Sequence, residues 1–244
     1  MTGEETHDFD FTLFKYCVWA ATVEGVNLKF WASSDADDVQ IHAVKDDASF
    51  EEALPVQLFQ DSRSGHIGES IRCGMVFDAV PRLCRTLADL NLGSDHKVLE
   101  LGAGMGLPGL WLGSFGPKVV LTDRHPAVME LLARNARLSS CRDTAEVHAL
   151  SWEERPAWLQ GFDVVLGTDV LYEHAYLEAF FGCVVAALRA QGILVLAFTK
   201  RTNVDFVQDV LPQAAANGLV CCSDFVPEHD LKGVFKFKRT DTRA

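Results

Sequence analysis

A chain of 244 residues that is 48% hydrophobic and 23% charged has the length and composition of a soluble fold with a substantial core, and its seven cysteines include no Cys-x-x-Cys pair, which excludes a disulfide-stapled miniprotein. The formal net charge of −12 is uneven: residues 1–54 hold 12 acidic against 3 basic side chains, a sign that repels phosphate backbones and attracts basic proteins, so no direct nucleic-acid binding is expected. No run of about 18 uncharged apolar residues exists to span a bilayer, the start is acidic rather than basic-then-apolar, and no His-x-His or His-x-x-x-His spacing occurs, so a cytoplasmic or nuclear protein without membrane contact or bound metal is expected.

In chain order, residues 1–56 read as an acidic, β-rich extension, with strand-like runs at 9–17, 26–31 and 39–44 between turn-rich acidic segments. Residues 57–244 are expected to form one domain. From residue 76 onward apolar strands alternate with amphipathic helices, the pattern of a parallel sheet covered on both faces. Residues 97–101 and 119–122 read as strands joined by a glycine-rich turn and a helix. Pro126 suits the first turn of the next helix, where Val128, Leu131, Leu132 and Ala136 recur on one face. Strands follow at 145–149 and 162–167, then a helix at 175–189 and a fifth strand at 193–198. A helix over 204–216, broken at Pro212, and a closing pair of strands at 219–225 and 234–238 complete the chain.

The strongest local signal is Val98-Leu99-Glu100-Leu101-Gly102-Ala103-Gly104-Met105-Gly106. An apolar strand runs into Gly-x-Gly-x-Gly and then a helix, and glycines there let a ligand approach the backbone closely. Asp123 ends the next strand 19 residues past Gly104, where a carboxylate can accept both hydroxyls of a ribose. Together they point to an adenosine-containing ligand; the bland alternative is a tight turn with glycines for conformation alone. A nicotinamide dinucleotide fits poorly, because the third glycine of its fingerprint, counted from Gly102, falls at Leu107, and no Tyr-x-x-x-Lys pair occurs. Gly-x-Ser-x-Gly and Gly-x-x-x-x-Gly-Lys are absent as well. Glu100 ends a buried strand, so its carboxylate needs a partner from the protein or a ligand.

Through Glu100 and these glycines, Leu121-Thr122-Asp123-Arg124, and above all Gly167-Thr168-Asp169-Val170-Leu171-Tyr172 after the fourth strand, the chain resembles the class I, seven-strand methyltransferases that use S-adenosyl-L-methionine. Within them it is similar to the methyltransferase-like protein-lysine group, which carries an Asp-x-x-Tyr motif. The resemblance spans roughly residues 57–239 and extends to Gln60-Asp61, Val76-Phe77-Asp78-Ala79 and Ser151-Trp152. It departs where the family has Trp-Asp-Ala-Ala. Phe77-Asp78-Ala79-Val80 stands there, whereas a gapless count from Gln60 puts Arg72 at the tryptophan. The Phe77 register requires an insertion before it, makes Asp78 an N-cap, and places Pro81 in the first helical turn with Leu83 and Leu87 on the buried face.

The resemblance implies a Rossmann-like, doubly wound α/β sheet of seven strands, mostly parallel with an antiparallel final strand. It implies a monomeric N-methyltransferase acting on a lysine of a protein substrate with a basic surface. Phe77, Glu100, Gly102, Ala103, Gly104, Gly106, Asp123, Arg124, Trp152 and Thr168 would serve the cofactor, and Asp169 and Tyr172 catalysis. In that scheme Glu100 faces the amino group of the cofactor, Gly102 to Gly104 its methionine portion, Asp123 the ribose and Trp152 the adenine, while Asp169 orients the acceptor amine in a channel walled by Tyr172 and Phe77. A histidine, arginine or small-molecule acceptor would share the cofactor residues, and a non-catalytic adaptor would keep the fold alone. Read residue by residue, Asp169 could instead cap a helix near His174, and Tyr172 and Trp152 could be ordinary core.

Overall fold

The computed structural model describes residues 79–139, 141, 143–200, 203–223 and 232–240, together with the strand residues 10–13, 16–23, 26–33, 43–45 and 57–60. Near the start, β2 (Tyr16–Val23) pairs antiparallel with both β3 (Val26–Ser33) and β4 (Ala43–Lys45). A separate pair joins β1 (Asp10–Leu13) to β5 (Gln57–Gln60). The run expected at 9–17 is thus two strands, and the second continues to Val23. The strand β5 had no local signal, since its pairing with β1 is long-range, and it puts residues 57–60 in a sheet with the start of the chain.

The larger sheet holds β6 (Lys97–Leu101), β7 (Lys118–Asp123), β8 (Ala145–Ala149), β9 (Phe162–Thr168) and β10 (Leu188–Thr199), all parallel. It is completed by β11 (Leu219–Cys221) and β12 (Lys232–Arg239), with β12 antiparallel to both of its neighbours. The strand order is β11-β12-β10-β9-β6-β7-β8. This is the doubly wound, mostly parallel sheet expected from the sequence. The chain winds outward from β6 in one direction through β7 and β8, then returns to the other side through β9 and β10. The order therefore reverses between β6 and β9, and a crevice opens at the carboxyl ends of strands at such a point.

Helices α1 (Ala79–Ala88), α2 (Leu107–Gly113), α3 (Pro126–Leu138) and α4 (Leu177–Ala187) cover the faces. Because both faces of the central strands are covered, Val98 to Leu101 and Leu194 to Phe198 are buried without interruption. Val98, Leu121, Leu166 and Val195 pack under α1, α2 and α3, where Leu83, Leu87, Leu131 and Leu132 meet them. Leu99, Leu101, Val165 and Leu196 face the opposite layer, rich in Phe180, Phe181, Phe206, Phe235 and Phe237. Leu83 and Leu87 occupy the inward face that the Phe77 register requires; Phe77 itself lies outside the described residues.

Two boundaries differ from the sequence reading. The expected helix at 175–189 starts as a 3-10 turn, His174–Tyr176, and its α-helical part ends at Ala187, where β10 begins at once. Leu188 pairs with Phe162 before the register shifts to Ile193 opposite Val164. Gly192 permits the shift, since a Cβ there would meet the Phe162 carbonyl oxygen at 2.7 Å. The helix expected to break at Pro212 is a π-helical turn, Phe206–Val210, continued by α5 (Leu211–Ala216), which holds the proline. Asp205 starts this segment, its carboxylate accepting from Val207 N (2.9 Å) and Gln208 N (3.0 Å). Among the described residues no helix is long and apolar enough to cross a membrane.

Candidate active site

The turn after β6 is built from left-handed glycines: Gly102, Gly104 and Gly106 have φ of 64°, 54° and 78°. Side chains rarely adopt this conformation, so the Gly-x-Gly-x-Gly spacing is a backbone requirement. Three contacts brace the turn. Ala103 N donates to Thr122 O (2.8 Å), Asn135 Nδ2 to Met105 O (2.9 Å), and Gly104 N to Asp123 Oδ2 (3.1 Å). The 19-residue interval between Gly104 and Asp123 is therefore a hydrogen bond across adjacent strand ends. Asp123 Oδ1 also accepts from Arg124 N (2.8 Å) and His125 N (3.1 Å). A carboxylate offers about four lone-pair sites, so Asp123 can shape the turn and still accept from a ligand hydroxyl.

Glu100 lies behind this turn. It is 1% exposed, and its Oε2 accepts from Gly109 N (2.9 Å) in the first turn of α2. Burial pushes its carboxyl up to about 8, with the Gly109 N–H opposing the rise and the Asp123 charge adding to it. Only glycine fits at 109, because a Cβ would fall 2.5 Å from Glu100 Oε2 and 2.4 Å from Leu121 Cδ2. The partner that Glu100 needs thus comes from the protein, and in this arrangement its chemistry is to pin α2 to β6. Ala103 and Gly106 are also buried, Gly106 against Leu132.

The second motif continues from β9. Thr168 Oγ1 is buried and has no hydrogen-bond partner among the described residues. Asp169 adopts a φ of 52°, rare for a residue with a side chain, while its N–H donates to Ala197 O (2.9 Å) and extends the pairing with β10 by one residue. Its two carboxylate oxygens are shielded from solvent. It is the N-cap of neither following element: the 3-10 turn follows Glu173 and α4 follows Tyr176, neither with a side-chain cap. Val170 and Leu171 are buried, and Tyr172 is half-buried.

Contacts bring the two motifs into one place. A Cβ at Gly102 would meet Val170 Cγ1 at 2.8 Å and Trp152 Cζ2 at 3.4 Å, so the turn after β6, the segment after β9 and the tryptophan after β8 converge. Trp152 stands edge-on to Phe180 (5.1 Å between centroids) and to Tyr176 (6.2 Å), and Tyr172 edge-on to Tyr176 (6.2 Å). Arg124 Nη2 donates to Tyr176 Oη (3.2 Å), with its guanidinium carbon 5.0 Å from that ring's centre. Gly102, Gly104, Asp123, Arg124, Trp152, Thr168, Asp169 and Tyr172 therefore share one end of the sheet, whereas Glu100 and Gly106 sit beneath it. Sequence reasoning missed Asn135 and Tyr176. Asn135 carried no signal, and Tyr176 only its four-residue spacing from Tyr172.

This donor set fits an adenosine-bearing ligand: a turn of left-handed glycines, a strand-end carboxylate with acceptor capacity to spare, a half-buried indole and an orphaned hydroxyl. A family model described as lysine methyltransferase matches residues 67–210. The chain is similar to EEF1A lysine methyltransferase 3 of Xenopus tropicalis, at 28% identity over 202 residues, covering 73% of this chain and 90% of that protein. It is also similar to the protein N-lysine methyltransferase METTL21A of Xenopus tropicalis, at 35% identity over 102 residues, covering 40% of this chain and 47% of that protein. A TehB-like SAM-dependent methyltransferase from Corynebacterium glutamicum superposes with a TM-score of 0.55 at 21% identity, over 65% of this chain and 88% of that one, a likeness of fold.

Proposed function

Because the chain belongs to the lysine methyltransferase family, we propose that it transfers the methyl group of S-adenosylmethionine to a lysine side chain of a protein, in the crevice at the carboxyl ends of β6, β7 and β9. The observation that carries this reading is the convergence at Gly102, where the segment holding Asp169 and Tyr172 meets the glycine turn. A bound cofactor and an acceptor side chain would then be neighbours.

In this reading the backbone of Gly102 to Gly104 holds the methionine portion, Asp123 the ribose, and Trp152 the adenine, with Thr168 offering its hydroxyl. When bound, S-adenosylmethionine supplies a methyl already activated on a sulfonium. The protein's task is alignment, which can contribute several kcal/mol when reacting atoms are held about 3 to 3.5 Å apart. A lysine amine must also be neutral to attack, and it starts near pKa 10.4. Desolvation beside Tyr172 favours the neutral form, whereas a carboxylate favours the charged one. Asp169 is therefore an orienting group and not a general base. The acidic start of the chain suits a substrate with a basic surface.

The test is incubation with methyl-labelled S-adenosylmethionine and a protein extract, then acid hydrolysis of each labelled protein. Label in N-methyl-lysine is the expected result. Label in methylarginine or methylhistidine would overturn the lysine assignment, and cofactor binding without transfer would favour the adaptor reading.

A further inference from the structure

The side chain of Tyr176 has no part in the scheme above. It closes the 3-10 turn and precedes α4, yet makes no capping bond to that helix. Its ring and hydroxyl instead join three separate segments: Arg124 from the turn after β7, Trp152 from the turn after β8, and Tyr172 from the segment after β9. We infer that Tyr176 is a positioning residue of the cofactor crevice, holding the Trp152 ring and the Arg124 turn in the arrangement that receives the adenosine portion. This rests on reading the crevice as the S-adenosylmethionine site.

The argument is one of support. Trp152 is half-buried at the end of the sheet, with Phe180 against one edge and the Gly102 backbone close by. Phe180 is fully buried and fixed by the core, so Tyr176 supplies the partly exposed side of the mount. Remove it and, among the described residues, the indole keeps one aromatic neighbour of the two. Arg124 is tied at both ends: its backbone N–H donates to Asp123 Oδ1, and its guanidinium to the Tyr176 hydroxyl. Fixing Arg124 thereby steadies the carboxylate proposed for the ribose. An exposed cation over a half-buried ring contributes little to folding. Its value lies in pre-organising a wall before the ligand arrives, which lowers the ordering that binding must otherwise supply.

The test is a double-mutant cycle read by calorimetric titration with S-adenosylhomocysteine and by thermal unfolding. Tyr176→Phe and Arg124→Ala each break the same hydrogen bond, so each should weaken binding about threefold, and the double variant should be no weaker than Arg124→Ala. Tyr176→Ala, which also removes the ring from Trp152, should weaken binding about tenfold or more. The thermal midpoint of Tyr176→Phe should stay within about 2 °C of the unaltered chain. Multiplying losses in the double variant, or binding by Tyr176→Phe within experimental error of the unaltered chain, would overturn the inference while leaving the cofactor site standing. Failure of the unaltered chain to bind S-adenosylhomocysteine would overturn the site and the inference together.

Discussion

Replacing Glu100 with glutamine should alter how folding stability depends on pH. The carboxyl sits at about 8 in the folded chain against an ordinary 4.5, chiefly because it is buried. A folded pKa above the unfolded one means that the group's contribution is complete below 4.5 and is lost as pH rises through 8. With each pH unit between those limits worth somewhat over 1 kcal/mol, about 2 to 3 kcal/mol disappears from pH 5 to 7 and about 1 kcal/mol more by pH 9. Glutamine is nearly isosteric, keeps an acceptor for the Gly109 N–H and does not titrate. Urea unfolding of both proteins at pH 5, 7 and 9 should therefore show Glu100→Gln gaining about 3 to 4 kcal/mol on the unaltered chain across that range. Titrating groups that do not feel the Glu100 charge cancel in the comparison. A difference between the two proteins that stays constant with pH would refute the claim that this carboxyl is held neutral by burial.

Two further predictions concern the cofactor side. Gly104→Val forces a branched side chain into a φ of 54°, so calorimetry should show no S-adenosylhomocysteine binding, with a stability loss of about 1 to 3 kcal/mol that leaves the chain folded. Asp123→Ala frees the Gly104 N–H and deletes the ribose acceptor; affinity in the same titration should fall by at least tenfold, at about 1.5 to 3 kcal/mol for each bond to a charged group. On the acceptor side, Tyr172→Phe should lower the single-turnover rate while cofactor affinity stays within about twofold, as expected for a contact made mainly in the transition state.

Much of this fold is visible in the chain. The central strands 97–101 and 162–167 read as continuous apolar runs because both faces of the sheet are covered, and the Gly-x-Gly-x-Gly signature reports left-handed backbone directly. Glu100 illustrates the limit: a partner could be demanded from burial alone, but that it is the Gly109 N–H depends on how closely α2 approaches β6. Tyr176 was invisible for a similar reason, since its partners Arg124 and Trp152 lie 52 and 24 positions away in sequence and meet it only at the end of the sheet. The β1–β5 pairing and the early start of β10 are likewise long-range, whereas periodicity is a local signal. Leu83 and Leu87 are buried, but Arg72, Phe77 and Asp78, between which the register is decided, lie outside the described residues.

The central claim is that cofactor binding and methyl transfer are served by different residues of one crevice, and Asp169→Ala tests it most directly. The residue is held at φ 52° beside Thr168 and is the N-cap of neither the 3-10 turn nor α4, so the account expects its removal to leave the helix that follows and the cofactor turn in place. Single-turnover methylation at saturating S-adenosylmethionine, with a substrate protein isolated by its label, is the measurement. The account predicts a rate at least tenfold lower, about 1.4 kcal/mol of lost orientation, with S-adenosylhomocysteine affinity unchanged within about twofold. An unaltered rate, or a loss of cofactor affinity that matches the loss of rate, would contradict it.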